Sequence, residues 1–207
     1  MFKYASCLGL SLALLSGCAV QPQKPQFSGS TPKSVLIIPA VNKTVNTDAP
    51  DYFLSTIARP IAEKGFYVFP VNTVKQMMEL EGMGDADMVH QQDTTRLADL
   101  FGADAVLYVT INRWDARYIL LSTTVTVDFD YIIKDGKTGQ SLWQNKQTLV
   151  YSPQNNSTGN PAVDLIGMAV QAAITKAAPN YIPLTQQANA QAATQLPEGP
   201  YFPTKTP

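Results

Sequence analysis

Cysteine and histidine are nearly absent from this chain of 207 residues, which holds two cysteines, Cys7 and Cys18, and one histidine, His90. Both cysteines fall within the first eighteen positions, so the rest of the chain has no thiol and no disulfide. A structural zinc site needs three or four clustered ligands. His90 stands alone in the polar stretch Met88-Val89-His90-Gln91-Gln92 and reads as a solvated surface residue rather than a base or metal ligand. Charge of one sign is also missing. Fifteen Lys and Arg balance sixteen Asp and Glu, and no basic run occurs. A nucleic-acid partner, which would require a basic face, is therefore excluded. There is no Gly-x-Ser-x-Gly, and Gly82-Met83-Gly84 lacks the Lys and Ser or Thr of a phosphate loop. No enzyme activity, cofactor or metal is expected.

What the chain does have begins at its first residue. Lys3 precedes an apolar run from Tyr4 to Leu15, followed by Leu15-Ser16-Gly17-Cys18. A positive charge and a short apolar stretch form a secretory signal, residues 1–17. The stretch is too short for a spanning helix of about 20 residues. Leu-Ser-Gly-Cys resembles the lipobox of bacterial lipoproteins. There, small residues admit the signal peptidase and the cysteine accepts a diacylglycerol. That resemblance makes Cys18 the lipidated N-terminal residue of the mature protein, with three acyl chains. Two or more chains suffice for a stable anchor. Ala19 stands where an Asp retains many such proteins in the inner membrane, so the resemblance implies the outer membrane, with the domain facing the periplasm or the cell surface.

Residues 18–32 are rich in Pro, Gln and Ser and read as a flexible tether, because such a stretch buries too little apolar surface to offset its chain entropy. Residues 183–207 read as a disordered or docked tail without a helix-period apolar face, from which Tyr201 and Phe202 could dock on the domain or a partner. Between them, residues 33–182 make one domain of ordinary size.

Val35 to Ile38 is an unbroken apolar run stopped by Pro39, the mark of a buried strand. Phe53, Leu54, Ile57, Ile61 and Ala62 recur at helical spacing, predicting a helix from Tyr52 to Lys64 opened by Asp51, with a kink or break at Pro60 and a cap at Gly65. A strand at Phe66–Phe69 and a helix over Thr73–Glu81 follow. A third helix, Thr95–Phe101, is capped by Asp93 or Thr94 and closed by Gly102. The next strand is Ala103–Ile111. From Ile119 to Ile133 the period changes to two. Val125, Val127, Phe129, Tyr131 and Ile133 alternate with Thr124, Thr126, Asp128 and Asp130, as on a half-exposed antiparallel strand. Asp135-Gly136-Lys137-Thr138-Gly139 is a turn, and Ser141–Tyr151 the return strand. A last helix is expected at Ala162–Ala178. The expected fold is α/β, with a single mixed sheet: strand-helix-strand-helix-helix, then an antiparallel meander, then a helix.

The order of these elements is familiar. Val35-Leu36-Ile37-Ile38-Pro39 with Asn42 and Thr44, then Gly65-Phe66-Tyr67-Val68, then Phe101-Gly102-Ala103-Asp104-Ala105-Val106-Leu107 resemble the curli-secretion lipoproteins and the TolB N-terminal domain. The whole chain most resembles a family of bacterial lipoproteins typified by a meningococcal surface antigen. The resemblance implies a TolB N-terminal-like fold, other envelope lipoproteins as partners, and a homo-oligomer. It implies a non-enzymatic assembly role. A peptidoglycan- or glycan-binding module is the alternative, suggested by Trp114, Trp143, Tyr108 and Tyr118, although strand aromatics more often fill cores. The single hairpin Arg117–Tyr151 carries charges that fit poorly with membrane insertion. Asp128 and Asp130 share a strand face and read as solvated, paired with Lys134 or Lys146. Asp85 and Asp87 lack the closing Glu of a calcium loop.

Replacing Cys18 by Ser is expected to abolish acylation and release the protein from membranes. Metabolic labelling with a radioactive fatty acid checks this, and a labelled C18S protein would defeat the lipobox reading.

Overall fold

The computed structural model describes residues 25–119, 122–151 and 180–203, together with Asp164, Leu165, Gly167, Met168 and Val170; the side chains of 116–123 are not described. It is built on one mixed sheet. Strands β1 (Ser34–Ile37), β2 (Val41–Asn42), β3 (Tyr67–Val68), β4 (Ala105–Ile119), β5 (Ser122–Asp135) and β6 (Ser141–Tyr151) run in the order β3-β1-β4-β5-β6, with β2 also paired to β4. Strands β1, β2 and β3 lie parallel to their neighbours, and β4, β5 and β6 form the antiparallel meander. The expected mixed α/β sheet is therefore present.

Helices α1 (Ala49–Glu63), α2 (Val71–Leu80), α3 (Ala86–His90) and α4 (Thr94–Phe101) fill the connections. Helix α1 begins two residues before the expected opening residue, Asp51, and continues through Pro60 without a break. Asp93 caps α4 by accepting hydrogen bonds from the Thr95 N–H at 2.7 Å and hydroxyl at 2.6 Å. Gly102 ends α4 at φ 68°, a left-handed conformation that costs glycine least.

The motif residues of the first strands are holding points. Asp104 Oδ2 accepts from the backbone N–H groups of Lys33 and Ser34, both at 3.0 Å, and from the Ser34 hydroxyl at 3.1 Å. This pins the start of β1 to the start of β4. Asn42 Oδ1 accepts from the Thr44 N–H and hydroxyl, while its Nδ2 donates to the Asn46 carbonyl.

The core has two parts, one on each face of the sheet. One packs Leu36, Ile38, Val106 and Tyr108 under Val74, Met78, Val89 and Leu97 of α2, α3 and α4. The larger packs Val35, Ile37, Leu107, Val125, Val127, Phe129, Tyr131 and Ile133 against Phe53, Ile57 and Ile61 of α1. The alternation read along β5 is thus realised, with Val125, Val127, Phe129, Tyr131 and Ile133 each at most 1% exposed.

Three expectations are corrected. The strand expected to stop at Ile111 runs on to Ile119. Its partners shift from Ile111↔Phe129 to Arg113↔Asp128, so Asn112 is an extra residue in a bulge. The bulge moves the inward register from odd to even positions, and Trp114 is buried. That parity change hid the continuation from a period-two reading.

Second, the stretch expected to be a tail from residue 183 begins as a helix, α5 (Ile182–Thr194). Leu184, Ala188, Ala192 and Leu196 recur every four residues and are all buried. The face is narrow and made largely of alanine, so its apolar contrast is weak. Beyond it the chain is docked. The Gly199 N–H donates to the Lys64 carbonyl at 2.7 Å, and the Tyr201 N–H to the Gly65 carbonyl at 3.0 Å. Gly65, at φ 86°, leaves room for this approach: a Cβ there would stand 2.2 Å from the Phe202 nitrogen.

Third, the tether expected to run to residue 32 is partly bound. Phe27 is half-buried and meets Phe66 edge-on at 5.9 Å. The Ser28 N–H donates to the Leu142 carbonyl at 3.0 Å. The helix expected at Ala162–Ala178 lies outside the described residues except for five positions, all helical, of which Val170 is buried.

A buried polar chain locks α5 in place. The Tyr131 hydroxyl donates to Asn189 Oδ1 at 2.7 Å, and Asn189 Nδ2 donates to the Thr56 hydroxyl at 2.9 Å. Burial raises the Tyr131 pKa well above its usual value, keeping the hydroxyl a neutral donor. Asn189→Ala leaves the buried Tyr131 hydroxyl without its acceptor, while the Thr56 hydroxyl keeps its bonds to the Tyr52 and Phe53 carbonyls, and is expected to cost about 1–3 kcal/mol in denaturant unfolding. Added to Tyr131→Phe, it should cost less than it does alone. A full additive loss in the double variant would show that the two side chains act separately.

Candidate functional site

The longest strands outrun their cover. A 15-residue helix such as α1 spans about 22 Å. A 15-residue strand such as β4 spans roughly 45–50 Å. On one face, α1, α5 and the helical positions around Val170 continue the cover to Trp114, Val125 and Tyr151. On the other, α2, α3 and α4 pack on β1, β2 and the beginnings of β4 and the end of β5.

Among the described residues, nothing covers the remainder of that second face. It carries Arg113 and Asp115 from β4, Thr126, Asp128 and Asp130 from β5, and Lys146, Thr148 and Val150 from β6. Four of its five charges stand in two ion pairs. Arg113 Nε lies 2.7 Å from Asp115 Oδ2. Asp130 and Lys146 are direct cross-strand partners, with Lys146 Nζ 3.3 Å from Asp130 Oδ1. That geometry falls short of a hydrogen bond, and no other group among the described residues bonds this buried oxygen. Of the two cations expected opposite the carboxylates, Lys146 takes Asp130. Lys134 instead sits 4.6 Å above the Tyr108 ring. Strand β6 ends the strand order, where backbone groups can pair with another chain.

The other candidates are structural. His90 is not a solvated residue. It is half-buried at the end of α3, with Nε2 3.0 Å from the Pro39 carbonyl and its ring edge-on to Tyr108 at 5.2 Å. The pattern of a lone polar-loop histidine gave no sign of this, because Pro39 lies 51 positions away. Asp85 caps α3 by accepting from the Met88 N–H, and Asp87 stands in its first turn. Asp135 organises the β5–β6 turn, accepting from the Lys137 and Thr138 N–H groups and the Thr138 hydroxyl. Partial burial works against its charge, but these bonds outweigh it and hold its pKa below the usual value. Among the described residues no three of His, Cys, Asp or Glu cluster as a metal site would require.

The tryptophans belong to the core. Trp114 is 3% exposed and stacks on Tyr52 at 5.9 Å. Among the described residues its Nε1–H has no acceptor. Trp143 donates from Nε1 to the Gln195 carbonyl at 3.0 Å. Tyr108 is buried and shares a hydrogen bond with the Thr94 hydroxyl. Tyr201 is exposed and Phe202 half-buried at the docked C-terminal segment. The side chain of Tyr118 and the whole of Cys18 lie outside the described residues.

The fold matches that of a solved lipoprotein. The crystal structure of lipoprotein GNA1162 from Neisseria meningitidis matches 68% of this chain and 94% of its own, with 30% identity and a TM-score of 0.58. The family model of GNA1162-like lipoproteins matches residues 24–198, and the chain belongs to that family. A curated lipoprotein of N. meningitidis serogroup B is 29% identical over 194 residues, covering 91% of this chain and 88% of the relative. A PelC dodecamer from Paraburkholderia phytofirmans matches 82% of this chain and 96% of its own, with 13% identity and a TM-score of 0.49. No helix among the described residues is long and apolar enough to cross a membrane.

Burial lowers the His90 pKa below its usual 6.5, with Lys134 acting in the same direction; the Pro39 carbonyl and Asp87 oppose this without reversing it. The folded state thus binds fewer protons than the unfolded chain between the lowered value and 6.5. The stability from the neutral ring is complete above about pH 6.5 and is lost as the pH falls through that window. The stability difference between wild type and His90→Gln should therefore shrink between pH 7 and pH 5 in urea unfolding. A constant difference would show an ordinary titration.

Proposed function

We propose that this chain is an outer-membrane lipoprotein, anchored through Cys18, that serves as a non-enzymatic accessory in assembling a cell-envelope structure or secretion complex. The observation that carries this reading is the open end of the meander. Three long strands present a polar face, most of whose charges are paired, beside the edge of β6, a surface suited to another protein chain. Membership of a lipoprotein family supports the anchor, as does Leu15-Ser16-Gly17-Cys18. The partners proposed are other envelope lipoproteins and further copies of this chain.

Glycan or peptidoglycan binding is the alternative. Aromatic platforms for sugars need exposed ring faces, and Trp114, Trp143 and Tyr108 are buried instead. The assembly reading is therefore preferred.

Cross-linking in intact cells is expected to trap the full-length protein with other envelope proteins or with itself. Charge reversal on the open face, Lys146→Glu with Arg113→Glu, should reduce those products several-fold while the protein remains folded and acylated. A wild-type protein recovered only as a solitary monomer would overturn the proposal. Retention of the acylated protein's soluble domain on purified peptidoglycan at low salt would favour the alternative.

A further inference from the structure

The binding of residues 25–32 to the domain sets how the domain can stand on its membrane. Strands β1, β3 and β4 all begin at one end of the sheet, and the β5–β6 turn lies there too. At that end a cleft of about 590 Å³ is lined by Pro25, Phe27 and Gly29 from the incoming chain and by Lys64, Leu196 and Glu198. A neighbouring hollow brings Ser30–Lys33 beside Asp104, Asp135 and Lys137. The chain therefore enters the domain at the end where β1 starts. The β4–β5 hairpin, closing between Ile119 and Ser122, is at the opposite end.

Two lengths restrict the orientation of the domain. A free chain from Cys18 to Pro32 would reach about 50 Å, enough to let the domain turn over. With Phe27 and Ser28 bound to Phe66 and Leu142, the length of chain from Cys18 to Pro25 can reach at most about 25 Å at full extension. From its start to the hairpin, β4 measures roughly 45 Å. An inverted domain, hairpin down on its own membrane, would hold Pro25 farther from the lipid than the leash can span.

We propose that the end of the domain bearing Lys33, Lys64 and Lys137 faces the phospholipid headgroups of the anchoring membrane, and that the β4–β5 hairpin points away from it. This rests on the reading of Cys18 as the acyl anchor. The local chemistry agrees with a phosphate-bearing surface. Lys33 and Lys137 are exposed; of the nearby carboxylates, Asp104 is engaged with the backbone of β1 and Asp135 with its own turn, while Glu198 is exposed. The open face of the meander, which lies toward the hairpin end, is then held off the membrane and available to a partner.

The test uses the full-length acylated protein in vesicles of phosphatidylethanolamine and phosphatidylglycerol carrying a headgroup-linked quencher. The mature chain has no cysteine besides Cys18, so an introduced thiol is a unique labelling site. A fluorophore at Lys137→Cys should be quenched several-fold more than one at Thr124→Cys, near the hairpin. Phe27→Asp, which frees the bound segment, should narrow that ratio. So should fourteen Gly and Ser residues inserted after Ala19, a change outside the folded domain. Equal quenching at the two sites, or stronger quenching at Thr124→Cys, would overturn the orientation. Flotation of the vesicles is read first. A protein that does not float with them lacks the anchor, and both readings fall there; one that floats without the quenching difference keeps the anchor and loses only the orientation.

Discussion

A helix rises about 1.5 Å per residue and a strand about 3.3 Å, and this difference shapes the molecule. Strands β4, β5 and β6 contain 15, 14 and 11 residues, whereas α2, α3 and α4 contain 10, 5 and 8. Helices of that size cover the starts of the strands and no more. The apolar register of the meander must be buried along its whole length on the other face. There α1 needs help, and α5 with the helical positions around Val170 supplies it. The open polar end on the opposite face is the other consequence of the same mismatch.

The closing role of α5 explains its polar core. Alanine gives it little apolar area, so hydrophobic contact alone would position it weakly. Asn189, Thr185 and Thr56 add directional bonds to Tyr131 and to the backbone of α1. A buried network whose members all find partners specifies one arrangement, whereas a partly satisfied one would destabilise the core. The two chain ends then meet at Gly65 and Phe66, where Phe27 comes from one side and Gly199 to Phe202 from the other. Residues 27 and 28, the last helix and the end of α1 are thereby parts of one packed corner rather than separate appendages.

Much of this could be read along the chain. Val125 to Ile133 announced their buried side by alternation, because a strand turns successive side chains to opposite faces. Gly102 and Asp93 announced both ends of α4 through the backbone groups that a helix leaves unpaired. Lys146 was legible as one of two candidate partners for Asp128 and Asp130, and the strand register set it against Asp130. The candidate surface was half visible: the polar register was evident, but not that the helices would fail to cover it.

The sequence by itself determined the alternation of the meander and both ends of α4, since each depends on residues within a few positions of one another. Only the tertiary structure decided that β4 continues beyond Ile111, because one bulged residue inverts the parity of the buried register. Only it decided that residues 25–32 and 182–202 belong to the domain. Their attachment depends on Leu142, Phe66, Tyr131, Lys64 and Phe53, up to 136 positions away. A segment of low apolar contrast cannot reveal its burial from its own composition when the groups that satisfy it come from elsewhere in the fold.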